Sequence, residues 1–189
     1  MKKTVLSVVF VALAFTASWS QLSLGVKAGL NLSDQTFSGG GYTTSPDFRV
    51  GILMGGYARL KLNSNFDIQP ELYFSMQGAK SGSITYKADY INVPILFRWN
   101  ITDNFNLHAG PQFGLLLTGK QITSTAYSDY KTLDVGAVLG LGIELPMNFN
   151  VGFRTVIGLA DINNSSVSSS TVHNFVIQAF VGYTLFGGK

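Results

Sequence analysis

Between residues 48 and 62 the chain reads FRVGILMGGYARLKL, and its three cations, Arg49, Arg59 and Lys61, all fall on odd-numbered positions. The even positions carry Phe48, Val50, Ile52, Met54, Gly56, Ala58, Leu60 and Leu62. A helix would scatter those cations around its surface, and each of Gly51, Gly55 and Gly56 would weaken it by roughly 1 kcal/mol. A strand with one apolar and one polar face is the regular element that fits.

The same period of two recurs along the chain and predicts eight strands, at about 22–33, 48–62, 66–77, 89–99, 105–117, 133–145, 149–159 and 173–186. The segment 66–77 alternates most cleanly, with Phe66, Ile68, Pro70, Leu72, Phe74 and Met76 against Asp67, Gln69, Glu71, Tyr73, Ser75 and Gln77. Pro94 and Pro111 each remove a ladder donor. In the last strand the register that sends Phe175, Ile177, Ala179, Val181, Tyr183 and Leu185 to the apolar face leaves Val176, Gln178, Phe180, Gly182, Thr184 and Phe186 opposite.

Connections at 63–65, 100–104 and 146–148 are short and rich in turn-forming residues, whereas those at 34–47, 78–88, 118–132 and 160–172 are long and rich in Gly, Ser and Thr. Short turns at one end and long loops at the other are the layout of an eight-stranded antiparallel up-and-down transmembrane β-barrel, with three periplasmic turns and four extracellular loops. A soluble ligand-binding barrel also alternates, but it turns its apolar face inward. Here the polar face carries nearly all the strand glycines, and the apolar face carries the bulky Phe, Leu and Ile residues. The crowded interior of a small barrel suits the first face, and lipid suits the second.

The N-terminal segment MKKTVLSVVFVALAFTASWS joins two lysines to a short apolar run and ends in small residues, the pattern of a signal peptide cleaved before Gln21. The barrel domain is then 21–189, in the outer membrane. Without Lys2 and Lys3 the formal charge of +3 falls to about +1, which offers no basic surface for nucleic acid. The chain has no cysteine, so it forms no disulfide and no thiolate metal site.

The inward charges are Lys27, Arg49, Arg59, Lys61, Arg98 and Arg154 against Asp67, Glu71, Asp134 and Glu144, and they are expected to pair as a polar network that plugs the interior. A turn at 63–65 sets Lys61 opposite Asp67 and Arg59 diagonal to Glu71. Phe66, Trp99, Phe105, Phe149 and Tyr183 lie on the apolar face beside short turns or the C-terminal end, where they would form a periplasmic aromatic girdle. The two histidines, His108 and His173, are too far apart in the predicted barrel to share a metal, and no cofactor motif is present. His173 with Asp161 and Ser165 to Ser170 could build a loop-borne acyl-transfer site only without any nucleophile motif.

GVKAGLNLS, PELYFSMQGAK, YINVPILFRW, LHAGPQFGLLL, DVGAVLGLGIEL and FVIQAFVGYTLF, in this order and spacing, resemble the PorT-like outer-membrane β-barrel proteins of Gram-negative bacteria, often labelled porin family proteins. The resemblance implies the barrel and its membrane, and carries no catalytic residues. Three uses fit such a chain: a non-enzymatic structural or interaction barrel presenting its loops, a porin for ions or small solutes, and a loop-borne acyltransferase or hydrolase. The expected partners are outer-membrane lipid, the barrel-assembly machinery during insertion, and an envelope or extracellular protein met through the four long loops.

Overall fold

The computed structural model describes residues 21–39, 42–44, 47–81, 84–121, 131–160, 162 and 171–187. Its strands are β1 (Leu22–Gly39), β2 (Tyr42–Thr44), β3 (Asp47–Lys61), β4 (Phe66–Ser81), β5 (Ile84–Asn100), β6 (Phe105–Gln121), β7 (Leu133–Glu144), β8 (Phe149–Gly158) and β9 (Thr171–Phe186). Consecutive long strands pair antiparallel, and β9 returns to pair with β1 from Leu24↔Phe186 to Ser38↔Thr171. That last pairing closes the wall, so a membrane-spanning barrel has no free edge. β2 pairs only with the outer end of β1, which leaves eight strands in the wall itself.

Alternation places the side chains as the sequence pattern predicts. Val50, Leu139, Leu159 and Leu185 stand exposed on the outside, while Lys27, Glu71, Tyr73 and Arg154 are buried inside. An exterior that is apolar around the wall is the reverse of a soluble barrel and matches a lipid-facing band. The last strand adopts the expected register up to Thr184, with one exception. A register shift opposite Leu24/Gly25 pairs Leu24 with Phe186, so Phe186 joins the outer face and is 51% exposed instead of pointing inward. Pro94 and Pro111 both keep their places in the ladders, opposite Gln112 and Ala137.

The short turns occur as expected. In the turn at Pro146–Asn148, Leu145 N–H donates to the Phe149 carbonyl at 2.8 Å, and Met147 and Asn148 adopt positive φ of 62° and 65°. The long connections are shorter than expected. Strand pairing continues to Gly39 and from Asp47, through Ser81↔Ile84, to Gln121 and from Thr171, well into the segments 34–47, 78–88, 118–132 and 160–172. Once two antiparallel strands are in register their ladder adds hydrogen bonds with no new loop to close, so Ser-, Thr- and Tyr-rich stretches continue the strand beyond the apolar band. Residues 1–20, where a cleaved leader is expected, lie outside the described residues.

Candidate functional site

The middle of the lumen is built on Glu71 of β4. Its Oε2 accepts from Lys27 Nζ of β1 and, at 2.8 Å, from Arg154 Nη1 of β8, and its Oε1 accepts from Gln69 Nε2 at 2.8 Å. Arg154 also donates through Nε to Gln178 Oε1 at 2.6 Å, and Gln178 in turn donates to Asn31 Oδ1 at 2.9 Å. Two aromatic rings complete the layer. Lys27 Nζ lies 4.7 Å from the centroids of both Tyr73 and Phe180, and the Arg154 guanidinium lies 5.0 and 5.2 Å from the same rings. Such contacts are strengthened by removal from water. Tyr73 donates to Gln112 Oε1 at 2.6 Å, which ties the layer to β6.

Glycine makes room for these rings. A Cβ on Gly152 would stand 2.3 Å from a Phe180 ring carbon, while one on Gly55 would stand 2.2 Å from the Leu72 carbonyl oxygen, so Gly55 lets the β4 backbone that carries Tyr73 approach closely. Bare backbone on one strand thus seats an aromatic from its neighbour. Glu71, Tyr73, Arg154 and Gln178 are at most 3% exposed, so side chains fill the cross-section at this height.

Toward the short turns lies a second charged layer. Arg59 Nη2 and Arg98 Nη2 converge on Glu144 Oε1 at 3.0 and 2.6 Å, and Arg98 Nε approaches Asp67 Oδ2 at 3.6 Å. Asn100 Nδ2 donates to Asp67 at 2.9 Å. This layer floors a polar vestibule of about 680 Å³, open at the turn end and lined in part by Ser23, Lys61, Asn65 and Asp103. Tyr57, Thr184 and Asn150 lie inward of it, with Tyr57 and Thr184 hydroxyls 2.9 Å apart and Asn150 Nδ2 donating to Tyr57 at 2.9 Å.

Toward the long connections, Asn174 Nδ2 donates to Asp134 Oδ2 at 2.8 Å, Arg49 reaches the Gln77 carbonyl, and Arg49 lies 3.5 Å from Asp89. Leu96, Val138, Val156 and Val176 form an apolar cluster on the inner face.

Two expected pairings are corrected. Arg59 bonds Gln69 at 3.2 Å and Glu144 across the lumen, not Glu71, because Glu71 is taken by Lys27 and Arg154. Lys61 is opposite Asp67 in the β3–β4 ladder, but it is exposed at the rim, where water solvates its ammonium, while Asp67 meets Arg98 and Asn100. Among the five aromatics expected to form a girdle, Phe66 stacks with Trp99 at 6.4 Å and also with Phe97 at 5.1 Å, and Phe149 meets Tyr183 at 5.0 Å. Phe105 is opposite Ile143 in the β6–β7 ladder.

Sequence reasoning missed Tyr73, Phe180 and Gln178 as members of the central layer. Their signal was present as bulky or amide side chains on a face otherwise full of glycine. His108 faces the lumen and His173 pairs with Thr36 near the outer end. Among the described residues no group of three His, Asp or Glu could hold a metal ion, and Asp161 and Ser165 to Ser170 lie outside those residues.

The barrel is similar to neisserial surface protein A, with 13% identity and a TM-score of 0.59 over 86% of this chain and 97% of that one. It is similar to Ail, the attachment invasion locus protein of Yersinia pestis, with 12% identity and a TM-score of 0.53 over 86% and 98%. OprG from Pseudomonas aeruginosa matches at 11% identity and a TM-score of 0.50 over 91% and 99%. At these identities the likeness is one of fold. No curated protein sequence matches the chain significantly. The family described as outer membrane protein beta-barrel domain matches residues 16–164. The closed eight-stranded wall, its apolar exterior and that match over most of the chain together establish that this protein belongs to the outer membrane protein beta-barrel family and resides in the outer membrane of Gram-negative bacteria.

Proposed function

We propose that this protein is a structural and interaction barrel, without catalytic activity, whose plugged interior braces a narrow wall and whose outer connections meet an envelope or extracellular protein. The observation that carries this reading is the central layer, where Arg154 and Gln178 are 0% exposed and Glu71 binds two cations at once. A solute would have to break those bonds to pass, at a cost of several kcal/mol for each ion left unpaired. The polar network of Lys27, Arg49, Arg59, Arg98 and Arg154 with Asp67, Glu71, Asp134 and Glu144 is, on this reading, structural. The aromatic residues Phe66, Trp99, Phe105, Phe149 and Tyr183 anchor the wall at the periplasmic interface.

Export by a cleaved leader, insertion by the barrel-assembly machinery and membership of the PorT-like group are parts of the same proposal. The neisserial surface protein and the attachment invasion locus protein use the same fold, which supports a surface role by fold alone.

A second reading, a porin for ions or small solutes, is favoured by the charged vestibule at the turn end. Osmotic swelling separates the two. Proteoliposomes carrying the full chain are expected to swell no faster than empty liposomes in arabinose or glycine, and solute-dependent swelling would establish the porin. For the partner, a photo-crosslinker placed in turn in each outer connection of the protein in cells is expected to capture one discrete protein. Absence of an adduct at all four would contradict the interaction role.

A further inference from the structure

The outer wall carries a groove over the seam that closes the barrel. Its floor is backbone, the row in which Lys27 of β1 pairs with Gly55 of β3 on one side and Gly182 of β9 on the other, while the Lys27 ammonium turns inward to Glu71. Val26, Ala28, Met54 and Val181 of the neighbouring rows stand around this floor. Phe149 and Tyr183, their rings 5.0 Å apart, wall the groove toward β8. It holds about 520 Å³, and its lining is almost wholly apolar.

The groove exists because side chains that could fill it are small. Gly56 stands opposite Val26, and Ala28 stands opposite Met54, so on β1 and β3 each larger residue faces a smaller one. On the inner face, packing accounts for glycine: a Cβ on Gly29, Gly55, Gly152 or Gly182 would stand 2.2–2.4 Å from a neighbouring atom. Gly56 belongs to the outer face, and a Cβ there would meet only the Gly25 carbonyl oxygen, at 3.3 Å. Glycine weakens a strand, and here no contact within the chain calls for it, which fits a position where a ligand lies close over the backbone.

We propose that this groove binds one acyl chain of a phospholipid from the periplasmic leaflet. The groove is continuous with the apolar band that meets lipid around the wall, so the medium that reaches it is hydrocarbon. A void there would forfeit dispersion contacts along the lining atoms, and water would find too few donors and acceptors to bond. Phe149 opens β8 directly after the turn at Pro146–Asn148, which sets the groove in the leaflet nearer the turns. A chain seated on this floor spans β3, β1 and β9 and covers the pairing of the first and last strands, the joint on which closure depends.

The test uses the full barrel extracted in detergent and mixed with dioleoyl phosphatidylethanolamine. Native mass spectrometry is expected to show barrels that keep one lipid after free lipid is removed. Ala28→Phe and Gly56→Val fill the groove from different strands, each with a side chain suited to the lipid-facing band, and should lower the bound fraction about tenfold. Ala109→Phe, the same kind of change on the outer face of β6, should leave it unaltered. In crystals grown with a phosphatidylethanolamine brominated along its chains, the wild type should show bromine between Met54 and Val181. That measurement decides the matter even if a variant fails to assemble. A bound fraction equal in all four proteins, a dimer in place of the lipid adduct, or bromine only outside the groove would overturn the proposal.

Discussion

Glu71 is the side chain on which the middle of the lumen depends, because one carboxylate oxygen serves both Lys27 and Arg154. Replacing it by Gln keeps the volume and removes the charge, which leaves two cations facing each other away from water. Breaking a buried pair in this way costs about 3–5 kcal/mol. Glu71→Gln is therefore expected to lower the free energy of unfolding by that amount in urea titrations of the protein in lipid vesicles, far more than Lys61→Gln at the exposed rim. Equal effects of the two would contradict the assignment of Glu71 to a dry, structural centre. These partners were not legible in the sequence. Lys27, Glu71 and Arg154 are separated by 44 and 83 residues, and strand periodicity says which face a residue occupies but not which residue it meets across the lumen.

Along each strand, face and register were legible, since a period of two has the same meaning wherever one side is buried. Strand ends were not, because Ser, Thr and Gly at 34–39, 78–81 and 118–121 read as loop while the ladder carried on through them. The two faces give opposite predictions. On the outer face Leu139 is 62% exposed to the membrane, so Leu139→Arg is expected to cost about 2–4 kcal/mol near the bilayer midplane, measured by the same unfolding titration. On the inner face Gly152→Ala would drive a methyl to within 2.3 Å of the Phe180 ring. Overpacking of this kind costs roughly 1–3 kcal/mol, and the double variant Gly152→Ala, Phe180→Leu should recover part of it. No recovery would mean that the glycine serves some need other than seating the ring.

For the molecule as a whole, eight strands set a diameter that side chains can just fill, and the residues on the inner face fill it in layers. The polar vestibule at the turn end stops at the Arg59, Arg98 and Glu144 cluster, and the Glu71 layer lies beyond it. Polarity inside a barrel is thus no sign of a pore, because the same alternation that sends charge inward also lets opposite charges bond across the lumen. Single-channel recording of the purified full chain in planar lipid bilayers tests this directly. The sealed centre predicts no reproducible conductance from the wild-type barrel. Stepwise wild-type currents that disappear when Arg59 or Glu71 is altered would contradict it and make the lumen a conducting path.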